Sequence, residues 1–416
     1  MHRRHAARLG AATSAVAVAA ALLPAAGAVA APAPLSVTDQ VARDRLVTRS
    51  TSPQLGDDLA GMVTDLETGR VVWSHHAAER QIPASNVKLL TAVSALETFG
   101  PAHRFLTRVM TGAASRRVVL VGGGDPSLSR ADLRRLATRT VAAKTAEGVT
   151  RVRVDVDDSL FPAPSLARGW KSSYVTQDVS PVRALVVDQH RRWDTSLDAG
   201  QVFATILERK GLDVGRVLRR VAPSTATLIA ETAGDDLASQ VGYMLRTSDN
   251  DVAEVLHRMV AVQTGLPATW AGAAQALVAA LGRLGVTLPA GAVHDGSGLS
   301  RADRLRPAEL VAVLRTAFDP AHPNLASLQR GSLAVAGVSG TLAPDYLRYV
   351  TNPTRCAAGL VEAKTGSLSG VISLSGFARG ADGNVKLFSF LLNGVPSTLT
   401  TRRAVDRLAA TVTGCW

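Results

Sequence analysis

Strands stand at both ends of this 416-residue chain and helices fill its middle. Near the N-terminus, Leu59-Ala60-Gly61-Met62-Val63, the turn Glu67-Thr68-Gly69 and Arg70-Val71-Val72-Trp73 read as a β-hairpin. Near the C-terminus, Val371 to Phe377 alternates, Ala381-Asp382-Gly383-Asn384 turns, and Val385 to Leu392 returns. Between them, apolar residues recur at helical spacing. Leu89, Ala92, Val93 and Leu96 define one helix that ends near Gly100-Pro101. Leu237, Val241 and Leu245 define a second, and Val252, Val255, Leu256 and Met259 a third. Further helices fit 269–285 and 401–411. The pattern therefore predicts one α/β domain assembled from two distant pieces, 31–102 and 233–416.

Residues 103–232 have a different texture, short β-like runs alternating with polar helices, and are expected to be an inserted α/β accessory region. Arg151-Val152-Arg153-Val154-Asp155-Val156-Asp157 alternates as a strand with valine on one face. Asp155, Asp157 and Asp158 lack the other ligands of a calcium loop. Gly122-Gly123-Gly124-Asp125-Pro126, after the strand Val118–Val121, has neither dinucleotide nor P-loop spacing and reads as a tight turn. Residues 31–55, with their Pro, Ser and Thr, read as a loose lead-in.

The first thirty residues have the form of an export signal: Arg3, Arg4 and Arg8, an apolar stretch from Ala11 to Leu23, and the small-x-small site Ala28-Val29-Ala30. No later segment is long and apolar enough to span a bilayer. The expected location is extracytoplasmic and wall-associated, with at most peripheral membrane contact. Loss of the leader lowers the net charge of +12 to about +9. No compact Lys/Arg cluster with interleaved aromatics points to nucleic acid; a basic surface suits an anionic cell wall. The two cysteines, Cys356 and Cys415, can pair outside the cytoplasm, which would tie the C-terminus to the segment before Lys364. No Cys/His cluster has zinc spacing, and neither metal nor cofactor is called for.

Of 46 Lys and Arg residues only six are lysine, Lys88, Lys144, Lys171, Lys210, Lys364 and Lys386. Arginine stays protonated, whereas a buried lysine can lose its proton. Lys88 is the only lysine with a serine three places before it, in Ser85-Asn86-Val87-Lys88. Pro83-Ala84 precedes a helix start, so Ser85 falls in the first turn. Positions i and i+3 share a face, which lets the amine reach the hydroxyl. Free N–H groups at the helix start suit an oxyanion. To accept the serine proton Lys88 must be neutral, which costs an ordinary lysine about 4–5 kcal/mol at pH 7. Burial and a second cation lower that cost. Two further triplets are unique in the chain. Ser248-Asp249-Asn250 lies between two predicted helices, and Lys364-Thr365-Gly366 opens a β-rich stretch where Gly366 permits close backbone approach and the Ser367 N–H can face a carbonyl oxygen. Lys364 is the candidate second cation.

In this order the three motifs resemble those of penicillin-binding proteins and class A β-lactamases. The intervals of 163 residues from Ser85 to Ser248 and 116 from Ser248 to Lys364 leave room for the insertion. Over nearly the whole mature chain the sequence is most similar to D-alanyl-D-alanine carboxypeptidase/endopeptidases of the low-molecular-weight class C penicillin-binding type, peptidase family S13. Pro83 to Lys88, Gly122 to Pro126, Ser248-Asp249-Asn250 with Ala253-Glu254, Asp295-Gly296-Ser297-Gly298-Leu299-Ser300, Val338-Ser339-Gly340-Thr341-Leu342 and Lys364-Thr365-Gly366-Ser367 carry the resemblance. Ser367 stands where the family often has threonine. The resemblance implies a β-lactamase-like transpeptidase domain, an antiparallel sheet flanked by helices, with the insertion as accessory region. It also implies that Lys88 deprotonates Ser85 and that the N–H groups of Ser85 and Ser367 form the oxyanion hole. Ser248, hydrogen-bonded toward Lys88 and Lys364, passes a proton to the leaving amine, and Asn250 steadies the substrate amide. Thr365 and Ser367, in the field of Lys364, receive the terminal carboxylate, and Gly366 between them is the remaining substrate-binding position. The implied partners are peptidoglycan stem peptides, with β-lactams as covalent inhibitors. The rival readings are a serine β-lactamase, for which no convincing Glu-x-x-x-Asn segment lies between the first two motifs, a non-catalytic wall-binding relative, and another D-amino-acid-specific esterase or amidase, against which Thr365 favours a free carboxylate.

Overall fold

The computed structural model describes residues 1–2, 34–329 and 331–416. Apart from its first two residues, the candidate export signal lies outside the described residues. Among those described, no helix is long and apolar enough to cross a membrane.

The chain opens with α1 (Val37–Ser50), β1 (Asp58–Asp65), β2 (Val71–His75) and α2 (Val87–Phe99). There follow β3 (Leu106–Thr111), β4 (Arg117–Val121), α3 (Arg130–Ala146), β5 (Arg151–Asp157), α4 (Thr195–Arg209), β6 (Asp213–Val214), β7 (Leu218–Arg219) and β8 (Leu228–Ala233). A helical run comes next: α5 (Leu237–Thr247), α6 (Asn250–Gln263), α7 (Trp270–Arg283) and α8 (Pro307–Thr316). The chain ends with β9 (Ala334–Val335), β10 (Val361–Leu368), β11 (Val371–Arg379), β12 (Val385–Asn393) and α9 (Leu399–Val412).

The two ends meet in one antiparallel sheet of order β2-β1-β12-β11-β10-β9, with β1 paired along its length to β12. Both faces of this sheet are covered, which explains why β12 reads as an almost continuous apolar run. Leu387 and Leu391 pack with α2 and α5–α8 on one face; Phe388, Phe390 and Leu392 pack with α1 and α9 on the other. The second sheet, β6-β5-β4-β3-β8 with β7 also on β5, is built entirely from residues 106–233. It buries Val152, Val154 and Val156 with Leu133, Leu136, Phe203 and Leu207 of α3 and α4. Its three aspartates take internal partners: Asp155 pairs with Arg117, Asp158 with Arg183 and Arg219, and Asp157 accepts the N–H groups of Ser159 and Ala222.

The expected loose lead-in over 31–55 is corrected by α1. Ser36 caps it by accepting the N–H of Asp39 at 3.0 Å, and Ala42 and Leu46, one turn apart, bury its inner face. Only two buried apolar positions give the helix too weak a period to stand out in sequence. Lys386 of β12 fixes it further, holding Asp39 at 2.7 Å, Asp65 at 2.6 Å and Asp382 at 2.7 Å. Those three carboxylates lie close enough together to hold a metal ion; the Lys386 ammonium already fills the cation position. Cys356 and Cys415 are disulfide-bonded, joining the chain end after α9 to the turn before β10.

Candidate active site

Ser85 sits in a 3-10 turn, Ala84–Asn86, that runs directly into α2. The first helical turn expected from sequence is thus a tighter turn one step before the helix. Ala84 is fully buried at φ 47°, a left-handed conformation that costs a non-glycine residue on the order of 1–3 kcal/mol. Two glycines hold the turn in that shape. A Cβ on Gly298 would stand 1.9 Å from the Ala84 carbonyl oxygen, and one on Gly366 would meet Ser373 Oγ at 2.1 Å and Ala84 Cβ at 3.1 Å. Ser373 Oγ donates to the Pro83 carbonyl at 2.7 Å, and Asn86 Nδ2 donates to Ser375 Oγ at 2.9 Å. The nucleophile turn is therefore wedged between the 295–300 loop and β10–β11.

Lys88 is the second residue of α2, and its amine is fully buried with three neighbours: Ser85 Oγ at 3.1 Å, Asn250 Oδ1 at 2.7 Å and the Ser297 carbonyl at 2.8 Å. The two carbonyl oxygens can only accept, so Lys88 donates to both. A neutral amine has no third proton, and its lone pair then faces Ser85 Oγ. Burial drives Lys88 down to about 8 despite the opposing pull of Asp295, Glu254, Asp249 and Asp251. At that value the neutral form costs about 1.4 kcal/mol at pH 7, against about 5 for an ordinary lysine. Lys364 is equally buried; burial first, then Lys88, pushes it well below its ordinary value, and its amine donates to the Thr365 carbonyl at 2.9 Å.

The loop that presents the Ser297 carbonyl hangs on buried acids. Glu254 accepts the N–H groups of Gly296 at 2.9 Å and Ser297 at 2.8 Å. Asp295 accepts those of Gly298 at 2.8 Å and Ser300 at 2.7 Å, and the Trp170 indole N–H at 2.7 Å. Thr91, three residues after Lys88 on α2, donates to the Gly296 carbonyl at 2.7 Å.

Ser248 closes α5 at φ 62°, Asp249 caps α6 by accepting the Val252 N–H at 2.8 Å, and Asn250 begins α6. The Ser248 side chain lines the cleft beside Ser85 but makes no hydrogen bond to either lysine among the described residues, because the Lys88 and Lys364 amines face the partners named above. The Asn250 amide is held at both ends, by Lys88 and by the Asp178 carbonyl at 2.9 Å, so here it positions the amine. On β10, Thr365 and Ser367 line the same cleft, with Thr365 Oγ1 at 2.7 Å from Thr341 Oγ1. The cleft has a volume of about 410 Å³ and brings Ser85, Ser248, Asn250, Thr365 and Ser367 to one surface, with Lys88, Lys364 and Gly366 directly behind.

Sequence reasoning quoted Glu254, Asp295 and Thr341 within motif segments without giving them a task. It missed Arg348 and Arg402, which line the cleft; nothing local distinguishes them from the other arginines of an Arg-rich chain.

The family model for D-Ala-D-Ala carboxypeptidase 3 (S13) matches residues 42–193 and 189–412. A carboxypeptidase of Mycobacterium tuberculosis is 34% identical over 387 residues, spanning 88% of this chain and 82% of the relative. The D-alanyl-D-alanine carboxypeptidase of Actinomadura sp. strain R39 is 28% identical over 450 residues, spanning 85% and 81%. In structure the chain is similar to penicillin-binding protein 4 of Haemophilus influenzae, with a TM-score of 0.76 at 20% identity, covering 89% of this chain and 98% of that one. The antiparallel sheet flanked by helices is thus the fold of a penicillin-binding protein. With one pocket gathering its three motifs and a family match running through nearly all of its described length, the chain belongs to the D-Ala-D-Ala carboxypeptidase 3 (S13) family.

Proposed function

We propose that this protein is an exported, wall-associated serine-type D-Ala-D-Ala carboxypeptidase, with reach to cross-links as an endopeptidase, acting on peptidoglycan stem peptides and trapped by β-lactams. The observation that carries the reading is the Lys88 amine, buried and aimed at Ser85 Oγ while it donates hydrogen bonds to two carbonyl oxygens. Lys88 takes the Ser85 proton as Oγ attacks the carbonyl carbon between the two D-alanines. The backbone N–H groups of Ser85 and Ser367 receive the oxyanion, a donor pair of a kind worth about 2.7–4 kcal/mol per donor lost. The Ser248 hydroxyl, which makes no hydrogen bond among the described residues, carries the proton to the departing amine. Water then cleaves the acyl-enzyme.

The test is release of free D-alanine from a diacyl tripeptide ending in D-Ala-D-Ala, together with the fate of penicillin. A carboxypeptidase releases D-alanine and holds penicillin as a lasting adduct. Rapid penicillin turnover would identify a β-lactamase instead, and absence of both activities a binding protein. The pH profile is a second test. The acylating form of Lys88 is the neutral one and its pKa lies near 8. Acylation therefore rises about tenfold per unit between pH 6 and 7 and levels off above about pH 9. A rate flat across this range, measured by stopped flow, excludes Lys88 as the base.

A further inference from the structure

Resting on the carboxypeptidase reading above, we propose that Arg402 of α9 binds the free carboxylate of the substrate's last residue. The reading from sequence left that carboxylate to hydroxyls and to the field of Lys364, but the geometry supplies a better cation. Lys364 is buried behind β10 and spends its amine on the Thr365 carbonyl. On β10, Thr365 and Ser367 follow Val361 and Ala363 at alternate positions, the row that packs toward α9. Arg402 is the fourth residue of α9 and lines the cleft together with Thr365 and Ser367.

Two guanidinium groups stand at this end of the cleft, and they differ in one respect. Arg348 is held at both Nε and Nη2 by the buried carboxylate of Asp406. The Arg402 guanidinium has neither an ion pair nor a hydrogen-bonded partner among the described residues, and its Nε is buried without an acceptor. A buried donor left unmade is costly, and a cation beside a second cation more so. Burial, then Arg348, accordingly lower the pKa of Arg402. An anion entering the cleft removes both penalties, and a carboxylate matches the planar donor fork. Thr341 and Thr365, whose hydroxyls already share one hydrogen bond, complete a polar wall from which Thr365 can offer its own.

The test compares Arg402→Gln, Arg402→Lys and the native protein on two pairs of probes: a diacyl peptide ending in D-Ala-D-Ala and its C-terminal carboxamide, and penicillin G and its methyl ester. A hydrogen-bonded charge is worth about 10- to 150-fold in kcat/KM. Arg402→Gln is expected to lose that factor on the free acids while the amide and ester rates change less than about threefold, so that the native preference for a free carboxylate collapses; Arg402→Lys is expected to recover part of it. Equal losses on acid and neutral probes, or an unchanged acid preference in both variants, overturn the assignment of Arg402. If native protein neither releases D-alanine nor is acylated by penicillin, it is the underlying carboxypeptidase reading that fails.

Discussion

Replacing Lys88 with methionine slows penicillin acylation of Ser85 by about 10²–10⁴-fold, the usual worth of a positioned general base. The amine is the only titratable side chain hydrogen-bonded to Ser85 Oγ among the described residues, and Asn250, Ser297 and Ser85 surround it completely. Methionine fills a similar volume without a lone pair. Two carbonyl oxygens lose a donor, at about 1–3 kcal/mol each, partly offset because no amine need be desolvated. Thermal unfolding of the variant therefore separates lost chemistry from lost fold. The residual rate also loses its rise between pH 6 and 8, since the titrating group is gone. A variant that acylates within tenfold of the native rate, or keeps that rise, shows that another group takes the proton.

The second large effect concerns stability. Lys386→Met leaves Asp39, Asp65 and Asp382 facing one another without a counter-charge and destabilises the protein by about 3–5 kcal/mol, the cost of breaking a buried ion pair from one side. Burial opposes the Lys386 charge, but the three carboxylates outweigh it and raise its pKa. Burial likewise opposes the Asp65 charge, yet Lys386 and the Thr68 and Asn384 hydrogen bonds lower its pKa overall. The signs follow by linkage. Asp65, depressed in the folded state, contributes stability above its ordinary range near pH 4 that is lost as pH falls; Lys386, raised, contributes stability below pH 10 that is lost at higher pH. In the variant Asp65 loses the ammonium that lowers its pKa, so the deficit is largest at neutral pH and shrinks as pH falls and Asp65 protonates. Denaturant unfolding at pH 7 and pH 4 measures both. Equal stability of the two proteins at pH 7 would show that the clamp does not hold α1.

Sequence revealed most where chemistry depends on short spacing. Ser85 and Lys88 are one helical turn apart, and Thr365 and Ser367 alternate on one strand, so local periodicity nearly determines their relative placement. Strands at both ends implied one domain made of two distant pieces, but which strands pair across that distance, β1 with β12, is visible only in the structure. What escaped was long-range. Nothing near Lys386 announces that Asp39, from a weakly periodic helix, will reach it. Glu254 looks like any acid on the polar side of a helix until the 295–300 loop folds against it. Arg402 differs from Arg403 only because α9 turns one of them toward the cleft. Even the second cation inferred for the site behaves differently from the expectation. Lys88 is tuned chiefly by burial, and it is Lys364 whose proton the neighbouring amine discourages.

Mass spectrometry of penicillin-treated protein, followed by peptide mapping, tests the convergence of these motifs most directly. One penicilloyl group per chain, carried by the peptide that contains Ser85 and absent from Ser85→Ala, is the result required by a hydroxyl activated in this pocket. An unmodified chain, an adduct on another peptide, or labelling that survives in Ser85→Ala would contradict it.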